Sequence, residues 1–244
     1  MEIKNTIRLA AGLSGLQIGI ASFAFPAITL QFDDRLPYAM QQQDGAVVGV
    51  LVSQAERIFH DADVPFVWAR SSARRQWYTL QKAEEMNCVI GWFKTREREK
   101  LLKFTKAIYR DKPQVLIARN DFHALDGDSI EKILETRNVR VLLKSNYSYG
   151  PVIDELLMNL GPIKVVTDVE VVKMVAMLKA NRADIMFASG EEAHFLLDEI
   201  GSNLAGLHLL LPSGMPPGER RYIACNKAVP DEIIERLNRA IGFE

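Results

Sequence analysis

The sequence predicts an α/β protein of two lobes, each built on a mainly parallel β-sheet flanked by helices. Three observations favour this fold class. Short apolar runs alternate along the chain with segments of helical periodicity, which is the pattern of successive β-α units. The alternation occurs in two successive halves, and one more strand and helix follow the second half. We therefore expect connections near residues 110–113 and 212–219 to form a double crossover, with a site in the cleft between the lobes.

The first half begins with a predicted strand at residues 27–32, which ends in a turn. Apolar residues recur at helical spacing over 47–60, so an amphipathic helix is expected there. A second strand is predicted at 64–69. Ser72 can cap the next helix, which is expected to run to about residue 86.

The first half is organised around the stretch 88–98. Residues 88–93 are continuously apolar, which indicates a buried strand. Thr95 can cap the helix that follows, and Arg98 lies in the first turn of this helix. Ligands of open α/β sheets lie beyond the carboxyl ends of strands. A planar guanidinium at that edge suits a bidentate grip on a carboxylate.

A purely structural interpretation of this stretch stays open. Trp92 and Phe93 would then be core residues, and Arg98 would pair with Glu99 or another acid nearby.

The second half repeats the β-α pattern. Its predicted strands are 114–119, 139–143, 163–167, 184–188 and 207–211. Its predicted helices are 129–136, a segment from 148 or 150 to 159, 168–180 and 190–200. Asp128 with Glu131, and Ser189 with Glu192, read as capping boxes, and Asp168 as a cap. A strand at 221–226 and a helix beginning near Pro230 close the chain.

Composition and charge restrict the class of protein. The chain of 244 residues is 48% apolar and 25% charged, as expected of a globular protein with a full core. Its 30 basic and 31 acidic residues are nearly balanced without a basic block, so no nucleic-acid partner is expected.

Residues 1–24 combine a basic lead, an uncharged run and small residues before position 25, which predicts a cleaved secretory signal. An uncleaved anchor is the alternative, although the run is short for a membrane span.

Reactive side chains are few. In an exported protein, Cys88 and Cys225 permit one disulfide, and a pair of buried free thiols is the alternative. The four histidines are scattered, with none at metal-ligand spacing. The sequence therefore predicts no metal, no cofactor and no catalytic residue. Glu97, beside Arg98, is the one acid worth testing as a general base.

Five short motifs occur in a recognisable order. They are 36–38 (LPY), 91–98 (GWFKTRER), 104–109 (FTKAIY), 146–150 (NYSYG) and 181–184 (NRAD). In this order they resemble the family 3 extracellular solute-binding proteins, the periplasmic receptors of polar amino acid ABC importers. The resemblance spans the chain beyond the signal and implies the type II periplasmic-binding-protein fold.

The resemblance also implies a set of site residues. Arg98 would hold a ligand carboxylate, Tyr38 would stack on the ligand, and Ser148 with neighbouring amides would complete the anion site from the second lobe. A helix N-terminus suits this role because it presents unpaired amides. The residues expected to contact the ligand are Tyr38, Trp92, Phe93, Thr95, Arg98, Tyr147, Ser148 and Ser189.

Two departures from the family pattern bear on the ligand. Ser189 stands where amino acid receptors carry an Asp for the α-ammonium group, and its other role is to cap a helix. Glu191 or Glu192 could substitute for that Asp. Trp92 and Phe93 replace hydroxyl-bearing residues and make the pocket more aromatic. The chain therefore resembles a divergent branch of the family, with a ligand that is amino-acid-like or another organic acid.

Lobe boundaries and the cysteine pairing follow from the same resemblance. It implies a first lobe of residues 25–111 with 217–244, and a second lobe of 112–216. In this fold the strand returning through the second crossover lies beside the strand at 88–93. Cys88 and Cys225 are therefore expected to form a disulfide.

The function that the resemblance implies is solute binding in the periplasm. The two lobes would close around a small ligand with an anionic group, and an ABC importer permease or a membrane sensor would recognise the closed form. We expect a monomer. The alternatives are a periplasmic enzyme on the same scaffold, resembling cyclohexadienyl dehydratases, and a sensory or assembly module without a small ligand.

Overall fold

The computed structural model describes residues 26–125, 127–200 and 206–243. The strands of this part of the chain are β1 (Ile28–Phe32), β2 (Met40–Gln41), β3 (Val47–Val48), β4 (Phe66–Arg70), β5 (Asn87–Phe93), β6 (Lys103–Arg110), β7 (Gln114–Arg119), β8 (Arg140–Lys144), β9 (Ile163–Thr167), β10 (Ile185–Ser189), β11 (Leu207–Leu210) and β12 (Arg220–Cys225). The helices are α1 (Val50–Asp61), α2 (Ala73–Gln81), α3 (Arg96–Leu101), α4 (Ile130–Leu134), α5 (Pro151–Asn159), α6 (Val171–Lys179), α7 (Gly190–Ile200) and α8 (Asp231–Ala240). None of the helices in these ranges is long and apolar enough to cross a bilayer. The signal predicted at residues 1–24 lies outside the described residues.

Two five-stranded sheets organise the described ranges. Their strand orders are β4-β1-β5-β12-β6 and β11-β7-β10-β8-β9. We call the first sheet with its helices the first lobe, and the second sheet with its helices the second lobe. The predicted two-lobe α/β class is therefore confirmed.

Each sheet is mainly parallel, as predicted, because four of its five strands run in one direction and one strand runs against them. In the first lobe β12 runs antiparallel to both β5 and β6. In the second lobe β7 runs antiparallel to both β10 and β11. The reason is that β7 and β12 are the first strands after each crossover, so neither enters its sheet through a β-α-β unit.

The core of the first lobe lies on both faces of its sheet. Helices α1 and α8 bury their apolar stripes on one face, where Cys88 and Ile90 of β5 also lie. Val89 and Trp92 point to the other face and pack with Leu80 of α2. In the second lobe, apolar clusters likewise cover both faces of the sheet.

The disulfide predicted between Cys88 and Cys225 is present. The two cysteines are directly opposite each other in the antiparallel pair β5–β12. The bridge therefore ties the last strand of the chain to the strand that leads into the stretch 91–98.

The two connections between the lobes contact each other. The amide of Asp111 donates to the carbonyl of Glu219 at 2.9 Å, and Nε of Arg110 donates to the carbonyl of Gly218 at 3.0 Å. A Cβ atom on Gly218 would lie 1.6 Å from the carbonyl oxygen of Asp111. Only glycine allows the connections to approach this closely.

Some of the helix-capping residues predicted from the sequence are confirmed, and others are wrong. Ser189 and Glu192 form the predicted capping box, in which each side chain accepts from the amide of the other residue, at 3.2 and 3.1 Å. The prediction that Asp128 caps α4 is wrong, because Ser129 accepts from the amide of Lys132 instead. Asp168 is also not the cap of α6, which begins three residues later without a side-chain cap. Adjacent polar residues offer competing caps, and packing of the helix decides between them.

Candidate functional site

A small cavity lies where the two lobes meet. The volume available in it to the centre of a water molecule is about 60 Å³. The first lobe contributes the carboxyl ends of the parallel strands β1 and β5, the first turns of α1 and α2, and Arg98 of α3. The second lobe contributes the loop after β8. The residues that line the cavity are Phe32, Asp33, Arg35, Tyr38, Ala39, Leu51, Ala73, Gln76, Ile90, Gly91, Trp92, Phe93, Arg98, Asn146, Tyr147, Ser148 and Arg221.

Arg98 reaches this cavity from the first turn of α3. Thr95 caps the helix by accepting from the amide of Arg98 at 3.3 Å. The guanidinium donates to the carbonyl of Phe93 at 3.0 Å and, across the cleft, to the carbonyl of Asn146 at 2.9 Å. Its Cζ atom lies 4.3 Å from the ring centroid of Trp92. Thr95 itself does not line the cavity.

The charge of Arg98 is not balanced by a direct ion pair. No carboxylate of the described residues lies within 4.0 Å of its guanidinium nitrogens, and Asp154 and Glu97 act on it only from farther away. Burial lowers the pKa of Arg98 to about 10, so the side chain is still cationic at neutral pH. The interpretation in which Arg98 pairs with Glu99 is wrong, because Glu99 pairs with Lys94 at 2.8 Å.

A bulge in β5 turns Trp92 towards this site. Ile90 and Trp92 pair with consecutive residues of β12, so Gly91 is an extra residue in the ladder. Gly91 has φ of 79°, and a Cβ atom there would lie 2.5 Å from Leu51. Because one residue is inserted, Trp92 lies on the same face as Val89.

Trp92 and Phe93 are held firmly at the end of β5. The indole of Trp92 donates to Gln76 at 3.0 Å and stacks on Trp77 with ring centroids 5.9 Å apart. The ring of Phe93 lies 4.7 Å from Cζ of Arg221. Both side chains are core residues that also line the cavity, so the two interpretations of this strand end are compatible.

Tyr38 connects the lobes from the interior. Its ring is buried under the guanidinium of Arg221, whose Cζ atom is 4.1 Å from the ring centroid. Its hydroxyl donates to Oγ of Ser189 in the second lobe at 2.7 Å. Burial raises the pKa of the Tyr38 hydroxyl, so this hydroxyl remains protonated. Ser189 lies behind Tyr38 and does not line the cavity.

Buried ion pairs join the lobes beside the cavity. Arg35 binds Glu192 with two hydrogen bonds, one of them from Nη2 at 2.7 Å. Lys144 binds Asp33 at 2.5 Å, and the hydroxyl of Tyr147 donates to the same carboxylate oxygen at 2.9 Å. Burial acts to raise the pKa of Glu192, but the charge and hydrogen bonds of Arg35 outweigh burial and hold this pKa below its ordinary value.

Two other acids considered in the sequence are engaged elsewhere. Glu191 accepts from the amide of Lys112 at 2.9 Å and from the hydroxyl of Tyr109 at 3.0 Å. Glu97 is exposed on α3 and does not line the cavity.

Several hydrogen-bond donors of the loop from the second lobe have acceptors within that lobe. The hydroxyl of Ser148 donates to Asp154 at 2.5 Å, and the amide of Tyr149 donates to the other oxygen of this carboxylate at 2.8 Å. The amide of Gly150 donates to Oγ of Ser148 at 3.2 Å. Asp154 of α5 thus occupies two of the donors that the sequence assigns to a ligand anion. Burial raises the pKa of Asp154 despite these hydrogen bonds.

The structure places most of the predicted residues together. Those that line the cavity are Tyr38, Trp92, Phe93, Arg98, Tyr147 and Ser148. Sequence reasoning missed Asp33, Arg35 and Arg221. Asp33 and Arg35 follow β1 directly, so the rule that sites lie at carboxyl ends of strands could have found them. In the described ranges, no cluster of three or more His, Cys, Asp or Glu could hold a metal ion.

Solved structures of the same fold are numerous. An ancestral arginine-binding protein bound to arginine aligns with a TM-score of 0.72 and 18% identity, over 89% of this chain and 92% of that chain. The Gly52Ala mutant of arginine-bound ArgBP from T. maritima aligns with a TM-score of 0.69 and 20% identity, over 88% and 93%. A histidine kinase sensor domain with similarity to periplasmic binding proteins aligns with a TM-score of 0.69 and 17% identity, over 89% and 90%. At these identities the likeness shows the fold alone.

Sequence comparison identifies the family. Among curated proteins, none matches the chain. The sequence model of the bacterial extracellular solute-binding proteins, family 3, matches residues 28–149, which are half of the 244 residues. This matched segment includes β1, the stretch 91–98 and the loop 146–149. The chain belongs to the family 3 bacterial extracellular solute-binding proteins.

Proposed function

We propose that this solute-binding protein closes its two lobes around a small ligand that bears an anionic group, a carboxylate in particular. The observation that carries the proposal is the position of Arg98. Its guanidinium lines the interlobe cavity and has only carbonyl oxygens as hydrogen-bond acceptors among the described residues. Arg98 is partly buried, and a charge removed from water without a counter-charge is costly, so a ligand anion would relieve this cost.

Arg98 also links ligand binding to lobe closure. Its two acceptors lie in different lobes, Phe93 in the first and Asn146 in the second. An anion bound to the guanidinium of Arg98 would contact both lobes only in the closed arrangement. Ligand binding would therefore favour the closed arrangement by a hinge motion.

The partner that we propose is an importer permease or a membrane sensor that recognises the closed form. The structural neighbours include the substrate binding protein of an amino acid ABC transporter and a histidine kinase sensor domain, which supports these two kinds of partner. We propose that the protein is exported and acts as a monomer in the periplasm. The disulfide supports export, because disulfides persist in oxidising compartments. The proposed lobe boundaries are residues 25–111 with 217–244, and residues 112–216.

Binding without turnover is the proposed activity. The reported neighbours are binding proteins and a sensor domain. Glu97, the one acid considered as a general base, is exposed away from the cavity. Incubation with prephenate or arogenate, followed by absorbance, is expected to give no product, and Glu97-dependent conversion would contradict this.

Isothermal titration calorimetry, with short carboxylates titrated into the protein, tests the role of Arg98. The Arg98→Ala variant is expected to lose about 10- to 150-fold in affinity, since hydrogen bonds to charged groups contribute about 1.5–3 kcal/mol. Arg96→Ala is the matched control, because Arg96 is exposed on the same helix and does not line the cavity. Equal affinity of both variants for a bound carboxylate would refute the assignment.

A further inference from the structure

We infer that the ligand is a small monoanion without an ammonium group. The inference rests on the proposed function, because it takes Arg98 as the partner of the ligand anion. It departs from the neighbours whose structures hold arginine or glutamine. The charges, the hydrogen-bond donors and the size of the cavity support it.

The charges that line the cavity are paired, except for Arg98. Arg35 binds Glu192, and Arg221 binds Asp111 with hydrogen bonds of 2.6 Å from Nε and from Nη2. Asp33 binds Lys144. Within the described ranges, one positive charge at the cavity wall is therefore left without a counter-charge. One negative charge on a ligand balances it.

Among the described residues that line the cavity, no unpaired carboxylate is available as a counter-charge for a ligand ammonium group. Asp33 is the one acid among the described residues that line the cavity. Its charge is already balanced by Lys144, whose side chain is only 3% exposed and so depends on this partner. An ammonium group would have to compete with a buried lysine for the same carboxylate. A hydroxyl or methylene group in the same place needs no counter-charge.

A second anionic group on the ligand is also disfavoured. Two donors of the second-lobe loop, the hydroxyl of Ser148 and the amide of Tyr149, are taken by Asp154. Asp154 also places a negative charge near Arg98. A dianion would therefore meet one guanidinium that lacks a counter-charge and a nearby carboxylate.

The cavity restricts the size of the ligand. One water needs about 10–15 Å³ of such volume, so a cavity of about 60 Å³ takes roughly four to six non-hydrogen atoms. Separation of the lobes would widen the cavity, but it would break the pairs Arg35–Glu192 and Asp33–Lys144, which join the two lobes directly. Leu51, Ile90 and Trp92 give it an apolar wall that suits a short carbon chain.

Matched probe molecules test the inference by titration calorimetry. Glycolate and glycine, and lactate and alanine, differ only in a hydroxyl or an ammonium group. Malonate adds a second carboxylate. Each probe is titrated into the wild-type protein, the Arg98→Ala variant and the Arg96→Ala control. We expect lactate or glycolate to bind at least about tenfold more tightly than its amino partner and than malonate, since unpaired buried charges cost at least this factor.

The outcomes separate the two proposals. Arg98-dependent binding of the hydroxy acids, weaker for the amino acids and for malonate, supports both. Arg98-dependent binding in which alanine or glycine equals or exceeds its hydroxy partner overturns this inference and leaves the proposed function standing. The variant Asp33→Asn would then abolish the preference for the amino acid. Arg98-dependent binding in which malonate equals or exceeds the monoanions also overturns the inference alone. Binding of none of the probes, or binding unaffected by Arg98→Ala, overturns both proposals.

Discussion

The ion pair between Arg35 and Glu192 holds the lobes together, and the variant Glu192→Gln tests how strongly. Removing one partner of a buried pair typically costs about 3–5 kcal/mol. The side chain of Arg35 is 18% exposed and that of Glu192 is 2% exposed. Water can therefore solvate Arg35 in part, so we expect the low end, about 3 kcal/mol. The amide of glutamine can still accept from Ser189, so the helix cap remains.

Urea unfolding at pH 7 measures this loss. The control is Glu155→Gln, because Glu155 is exposed on α5 and forms no ion pair with the described residues. Small-angle scattering of the same samples reports whether the variant opens, which would increase its radius of gyration. A loss below about 1 kcal/mol, the value of a surface pair, together with unchanged scattering, would refute the reasoning.

The pH dependence of this loss has a definite sign. The pKa of Glu192 in the folded protein lies below its ordinary value of 4.5, so the pair stabilises the fold fully above that pH. The contribution is lost as the pH falls through the lower, folded-state pKa. The difference in unfolding free energy between wild type and Glu192→Gln should be constant near neutrality and shrink below about 4.5. A difference that grows on acidification would contradict the ion-pair assignment.

Two further changes test the scaffold. Replacing Cys88 and Cys225 together by alanine should lower the unfolding free energy by up to about 5 kcal/mol, since the bridge closes a long loop. Equal urea midpoints with and without the bridge would show that the bridge contributes nothing to stability. Gly218→Ala should destabilise by more than about 1 kcal/mol, because its Cβ would overlap the carbonyl of Asp111. Gly242→Ala is its control, since nothing lies within 4 Å of a Cβ there, and equal melting temperatures of the two variants would contradict the close contact.

The sequence predicts most elements of this fold because their signals are local. The buried run before Trp92 and the cap at Thr95 need only a few adjacent residues, and both are confirmed. Strand β6 is absent from the sequence prediction because Lys103 and Lys106 interrupt its apolar run. It becomes a strand because β12 returns beside it from the far end of the chain.

The candidate site was harder to predict because many of its contacts join residues that are far apart in the sequence. Arg98 was found because it follows a strand end by a few residues. Arg35 and Glu192 lie 157 positions apart, so no period or motif in the sequence connects them. Ser148 illustrates a second limit. Its place in the cavity is as expected, but its donor is taken by Asp154, and only the folded loop brings these groups together.

The carboxylate of Asp154 has an evolutionary consequence. It occupies two donors of the second-lobe loop and adds a negative charge near Arg98, although it does not line the cavity. Replacement of this one residue by alanine would release the hydroxyl of Ser148, which lines the cavity, and the amide of Tyr149, and would remove that charge. The charge class of the accepted solute would then change while every residue of the cavity wall stays the same. Receptors of this design can therefore diverge in specificity through a position that their ligands never touch.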